Sequence, residues 1–167
     1  VVMDGRVTLS ACLAQFFAEH RPLPDGQLKL TGRKKELFKT AKGKYVAPAP
    51  IENIINESPM VELSMVSGVG QPSAYAIVVP AEGLRPKLAD AAVRAEFEAE
   101  MTSVLKRVND KVADYEQLRM IVVAKEPWSI ENGQLTPTLK IKRNKIEAAV
   151  EQNLEKWYST KGAVVWS

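Results

Sequence analysis

The sequence predicts an α+β domain: a small mixed β-sheet with packed helices, plus an N-terminal two-stranded hairpin region. Three observations predict it. Apolar runs rich in β-branched residues recur at 60–66, 74–79 and 118–124, and their length suits strands. Two segments, 88–113 and 143–158, place apolar residues at three- and four-residue steps, the period of an amphipathic helix. The 167 residues are 46% apolar and 26% charged. That composition excludes wholesale disorder and can bury a core without disulfide staples.

The elements follow in chain order. Leu9, Leu13, Phe16 and Phe17 share one face of a short segment, 8–20, which Arg21-Pro22-Leu23-Pro24 ends. Residues 1–24 are therefore read as an N-terminal appendage and 25–167 as the main domain. Asp25-Gly26 is a turn signal, and Leu28 and Leu30 alternate with Lys29 in a short strand, 27–31. Leu37 and Phe38 mark a second short strand or extended piece at 36–39. Residues 46–50 read as extended. Pro50 then opens a helix over about 50–57, with Ile51, Ile54 and Ile55 inward and Ser58-Pro59 as its end. The runs 60–66 and 74–79 form a hairpin around Gly68-Val69-Gly70-Gln71-Pro72. In the long helix Val93, Phe97, Met101, Val104, Leu105, Val108 and Val112 face inward. In the last helix Ile146, Ala149, Val150, Leu154 and Trp157 do so. Asn132-Gly133 and Thr136-Pro137-Thr138 mark loops. Trp128, Trp157 and Trp166 are expected to pack rather than to bind ligands.

Counting residues narrows the chemistry. One cysteine, Cys12, and one histidine, His20, leave no disulfide framework, no Cys/His zinc site and no Ser-His-Asp or Cys-His machine unless His20 is its base. No metal ligands are assigned. No stretch approaches the ~18 uninterrupted apolar residues of a membrane helix, and the cytoplasm is the expected location. The net charge of +3 is unevenly spread: residues 25–52 carry +4 and 138–147 carry +3, leaving −4 elsewhere. Two basic segments in an otherwise acidic chain suit a local anion site, or two solvated surfaces. Arg33-Lys34-Lys35 has only Phe38 and Tyr45 nearby to stack on bases, so nucleic acid is not an expected partner.

Two motifs carry more. Residues 32–37 read Gly-Arg-Lys-Lys-Glu-Leu, within a segment that continues through Gly43 to Glu52. Residues 135–140 read Leu-Thr-Pro-Thr-Leu-Lys, followed by Ile-Lys-Arg-Asn-Lys-Ile-Glu. In this order and spacing they resemble the C-terminal domain of the AMP-forming adenylating enzymes, in the long-chain fatty acyl-CoA synthetase branch. The resemblance spans residues 25 to about 160, roughly four-fifths of the chain. It implies a mobile lid domain of a ligase that makes fatty acyl-CoA from a fatty acid, ATP and coenzyme A, with magnesium, through an acyl-adenylate. It also implies roles. Lys140 is the lysine that enters the active site for adenylation. Lys35 is the hinge, Arg33 approaches the nucleotide ribose, and Gly43 lines the coenzyme A tunnel.

The physical chemistry of each residue type agrees with its implied role. Adenylation crowds negative charge between a carboxylate and an α-phosphate, and a lysine ammonium is a compact, mobile point charge that can contact both. A lysine that must later leave is well placed on the loop of a mobile domain. Glycine lets a pantetheine arm pass close to the backbone. The plain alternatives are a solvated lysine before a basic helix and an ordinary turn glycine. Residues 1–24 lack the Thr-Gly-Asp motif that the family places upstream of the hinge; only Asp4-Gly5 comes near. The family's large N-terminal adenylation domain is also missing. The chain is therefore expected to be part of a larger enzyme, with that domain as its partner, and to have no turnover alone. The resemblance admits peripheral membrane association of the full enzyme. A basic module that binds nucleic acid or another polyanion, or an interaction module without catalysis, is the alternative function.

Overall fold

A computed structural model describes residues 37–167. Its elements are β1 (Phe38–Lys39), β2 (Tyr45–Val46), α1 (Pro48–Ile55), β3 (Val61–Ser67), β4 (Ala74–Pro80), α2 (Ala91–Lys111), β5 (Leu118–Val123), α3 (Arg143–Ser159) and β6 (Val164–Trp166). The main sheet has the order β3-β4-β5-β6. β3 and β4 are antiparallel, and β4, β5 and β6 are parallel. β1 and β2 form a separate antiparallel pair, Phe38 opposite Val46. The expected α+β architecture and its small hairpin are both present. The candidate strand 27–31 and the segment 8–20, read as a helical or strand-like piece, with Cys12 and His20, lie outside the described residues.

The sheet is buried on both faces. Every residue of β4 is buried, as its unbroken apolar run requires of a central strand. Alternation divides the side chains between two cores. Ala76 and Val78 of β4 join Ile121 and Val123 of β5 against Phe97, Met101, Val104 and Val108 of α2 and Ile51 and Ile55 of α1. Tyr75, Ile77 and Val79 join Met120 and Val122 against Trp128, Leu135, Ile146 and Trp157 on the other face, where α3 packs. Trp128 and Trp157 are buried, and Trp166 tilts against Phe97 with centroids 5.9 Å apart.

Several boundaries differ from expectation for local reasons. α1 begins at Pro48, so Pro48 and Pro50 both sit in the first turn, where no intrahelical acceptor is required of their nitrogens. Its buried stripe is Pro48, Ile51, Glu52 and Ile55, with Ile54 only partly buried. α2 starts at Ala91 rather than at 88 because the Asp90 side chain accepts the Ala92 N–H at 2.8 Å; 85–89 form a 3-10 turn. Ala149 of α3 is exposed rather than inward. β6 was not anticipated: three residues are too few to show a period.

Candidate functional site

The segment between β5 and α3 holds the candidate catalytic lysine, and its backbone is closely tied. Trp128 anchors the start in the core. Asn132 then fastens the turn, accepting the Ser129 N–H at 3.0 Å and donating from Nδ2 to the Pro127 carbonyl at 2.9 Å. Gly133 has φ +76°, which a side-chain-bearing residue would find strained. Buried Leu135 pairs with Ile141 in a single antiparallel bridge, and the Lys142 N–H donates to the Gln134 carbonyl at 2.9 Å. Inside that bridge, Thr136 closes a five-residue loop. Its N–H donates to the Lys140 carbonyl at 2.8 Å, its carbonyl accepts the Leu139 N–H at 2.8 Å, and its hydroxyl accepts the Lys140 N–H at 3.0 Å. Leu139 takes the left-handed conformation, φ +58°.

Lys140 is exposed at the end of this loop. Its ammonium makes no hydrogen bond or ion pair within the described residues. The backbone is fixed while the four-carbon side chain is free to reach.

Three residues later the chain is clamped. Arg143, the first residue of α3, grips the Glu52 carboxylate with both guanidinium arms, Nη1–Oε1 2.6 Å and Nη2–Oε2 2.8 Å. Glu52 Oε1 also accepts the Val66 N–H at 2.8 Å, and Nη1 reaches the Val66 carbonyl at 3.4 Å. β3 is an edge strand, so Val66 has a backbone donor and acceptor facing away from the sheet. The ion pair satisfies both. One turn further on, Glu147 accepts the Ser67 hydroxyl at 2.5 Å. Tyr75 lies beside this pair. Burial pushes its phenol up to about 12; the Ser67 hydrogen bond works against the rise and the Glu147 charge adds to it. Near the other end of α3, the Tyr158 hydroxyl donates to the Ser73 carbonyl, and burial raises its pKa as well.

Gly43 occupies the β1–β2 turn, with φ +76° and its N–H donating to the Thr40 carbonyl at 2.9 Å. A Cβ there would meet only Lys39 Cε at 3.8 Å. The turn geometry alone accounts for a glycine. This hairpin is bonded to the β3–β4 turn through Ala41 N–H to Gln71 carbonyl at 2.9 Å and Gly70 N–H to Lys39 carbonyl at 3.0 Å. The Gly43 hairpin and the head of α3 are thus both attached to one stretch of chain, 66–71. Exposed Lys39 and Lys44 lie over the rings of Tyr45 and Tyr115, at 5.7 and 6.0 Å. Arg33 and Lys35 lie outside the described residues. Among the described residues no group of three or more His, Cys, Asp or Glu could hold a metal ion.

Sequence reasoning missed Glu52 and Arg143 as partners. A signal was present: Glu52 sits four residues after Pro48 and three before Ile55 on an otherwise apolar stripe. A carboxylate there must find a partner.

A family model described as the AMP-binding enzyme C-terminal domain matches residues 36–162. The chain belongs to this family. Its relatives include long-chain-fatty-acid–CoA ligase 5 of Rattus norvegicus, 35% identical over 153 residues, covering 84% of this chain and 22% of the relative. The long-chain-fatty-acid–CoA ligase FadD15 of Mycobacterium tuberculosis is 30% identical over 147 residues, covering 81% and 24%. Among solved structures, the adenylation domain of a carboxylate reductase from Mycobacterium chelonae superposes with TM-score 0.66 at 27% identity, covering 81% of this chain and 21% of that one. The chain therefore spans less than a quarter of the length of these relatives. The family match includes Gly43 and Lys140 and starts beyond Arg33 and Lys35.

Proposed function

We propose that residues 25–167 are the mobile C-terminal domain of a cytoplasmic long-chain fatty acid–CoA ligase, with 1–24 as an appendage, and that Lys140 serves its adenylation step. In that step a fatty-acid carboxylate oxygen attacks the α-phosphorus of ATP. The bond to the β-phosphate oxygen breaks, pyrophosphate leaves, and an acyl-adenylate forms. Lys140 would place its ammonium between the acyl oxygen and the α-phosphoryl oxygens, where negative charge gathers. It would then withdraw as the domain turns about Lys35. The coenzyme A thiol next attacks the acyl carbon, loses its proton and expels AMP, with the pantetheine arm passing Gly43. Arg33 would approach the ribose.

The observation that supports this reading best is the state of Lys140: an exposed lysine, without a partner among the described residues, on a backbone held at both ends. A lysine kept only for solubility needs no such tethering. The names of the relatives support a long-chain fatty acid as the substrate class.

In this reading the 167-residue chain alone turns over no fatty acid, ATP and coenzyme A, and calorimetry finds ATP binding weaker than micromolar. Joined to an adenylation core in one polypeptide, it supports acyl-CoA formation. Turnover or micromolar ATP binding by the chain alone overturns the proposal.

A further inference from the structure

We propose that Glu52 and Arg143 form a positioning pair for Lys140: they fix the head of α3, and with it the lysine loop, to the edge of the sheet. The inference rests on the reading of Lys140 as the adenylation lysine.

Four observations carry it. Glu52 is only 9% exposed on an apolar helix stripe. A well-packed apolar residue would serve stability there at least as well as a buried ion pair, so the pair points to a geometric role. The contact is bidentate, at 2.6 and 2.8 Å. A planar fork fixes direction as well as distance, which a lysine at the same place would not do. The pair also holds the backbone of Val66, at the end of β3, by its N–H and its carbonyl. A carboxylate on α1, a guanidinium on α3 and a strand edge thus meet at one point. Finally, Arg143 follows Lys140 by three residues. Only Ile141, in its bridge to Leu135, and Lys142, bonded to the Gln134 carbonyl, lie between them. Any swing of the α3 head therefore moves the lysine loop. Displacing a catalytic group by about 1 Å can lower a rate by about 100-fold.

The test compares Arg143→Lys, the double variant Glu52→Gln/Arg143→Gln and Lys140→Ala in the polypeptide that carries the chain with its adenylation core. Arg143→Lys keeps the charge and loses the fork. The double variant removes both charges and keeps an acceptor for the Val66 N–H, so it remains informative if the single variant folds poorly. Adenylate formation from fatty acid and ATP, and thioester formation from supplied acyl-adenylate, are measured separately. Amide hydrogen exchange is followed in the 167-residue chain.

Arg143→Lys is expected to lower kcat for adenylate formation by about 10- to 100-fold, leaving KM for ATP and the thioester step within about twofold. Exchange at the Leu139 and Lys140 amides accelerates while that of β4 stays unchanged. Adenylation within about twofold of the parent, in a protein where Lys140→Ala abolishes it, overturns the positioning role. So does a parallel fall in both half-reactions accompanied by faster exchange in β4, which is general destabilisation. If Lys140→Ala leaves adenylation intact, the catalytic reading of Lys140 is what fails. Unchanged exchange at Leu139 and Lys140 then independently refutes the positioning of the loop.

Discussion

Two glycines at one end of the sheet separate backbone conformation from packing. Gly43 has φ +76° and a Cβ there would meet only Lys39 Cε at 3.8 Å, an ordinary contact, whereas a Cβ on Gly68 would lie 2.9 Å from Ala74 Cα and 3.0 Å from the Phe38 ring. Gly43→Ala is expected to lower stability by about 1 kcal/mol, the cost of one left-handed alanine. That shifts Tm by about 2–4 °C. Gly68→Ala is expected to cost about 2–3 kcal/mol, because backbone and a buried ring must both give way. Urea titrations rank the two, and equal losses would contradict this account. Tyr75 adds a pH prediction. Its phenol is held at about 12 in the folded protein against 10.0 when unperturbed, so the unfolded chain loses this proton first. The stability carried by the protonated phenol is complete below pH 10 and drains away as the pH rises from about 10 to 12. The loss amounts to about 2–3 kcal/mol, and Tyr75→Phe flattens that limb of a stability-against-pH curve. The sequence did not announce either effect. Gly43 and Gly68 look alike as letters, and Tyr75 is one more aromatic in an apolar run until Ser67 and Glu147 are seen beside it.

At the scale of elements, what was legible was what repeats. The stripe Phe97–Met101–Val104–Leu105–Val108 lies buried on α2 as its spacing requires, and the three long apolar runs are strands. β2 and β6, of two and three residues, are too short to show a period, and β6 is held by pairing with the distant β5, which no local pattern encodes. The Glu52–Arg143 contact is illegible for the same reason, since it joins residues 91 apart. Its energetics follow from burial. Arg143→Met leaves a carboxylate buried without its cation and is expected to cost about 3–5 kcal/mol. Glu52→Gln/Arg143→Gln retains the acceptor for the Val66 N–H and is expected to cost clearly less than Arg143→Met alone. Chemical denaturation of the variants checks the non-additivity. A double variant as unstable as the single one would mean that the ion pair contributes net stability rather than geometry.

At the scale of the molecule, family and fold could be read from two motifs near opposite ends of the domain; the second places Lys140 just ahead of α3, and residues 32–36 of the first lie outside the described residues. The site was legible only in part. Lys140 and Gly43 fall within the described residues, and the turn explains Gly43 whether or not pantetheine passes it. Arg33 and Lys35 lie outside them. The tethering of the lysine loop could not be foreseen: the Thr136 bonds and the Leu135–Ile141 bridge are local but leave no periodic signal, and the Arg143 clamp depends on a side chain distant in sequence. An exposed ammonium on a fixed backbone is what a lysine that enters another domain's site and later leaves requires. The two half-reactions of Lys140→Ala, measured in the polypeptide that carries the chain together with an adenylation core, test this most directly. The account predicts that adenylate formation is lost while thioester formation from supplied acyl-adenylate is largely spared; equal loss of both, or full retention of the first, would contradict it.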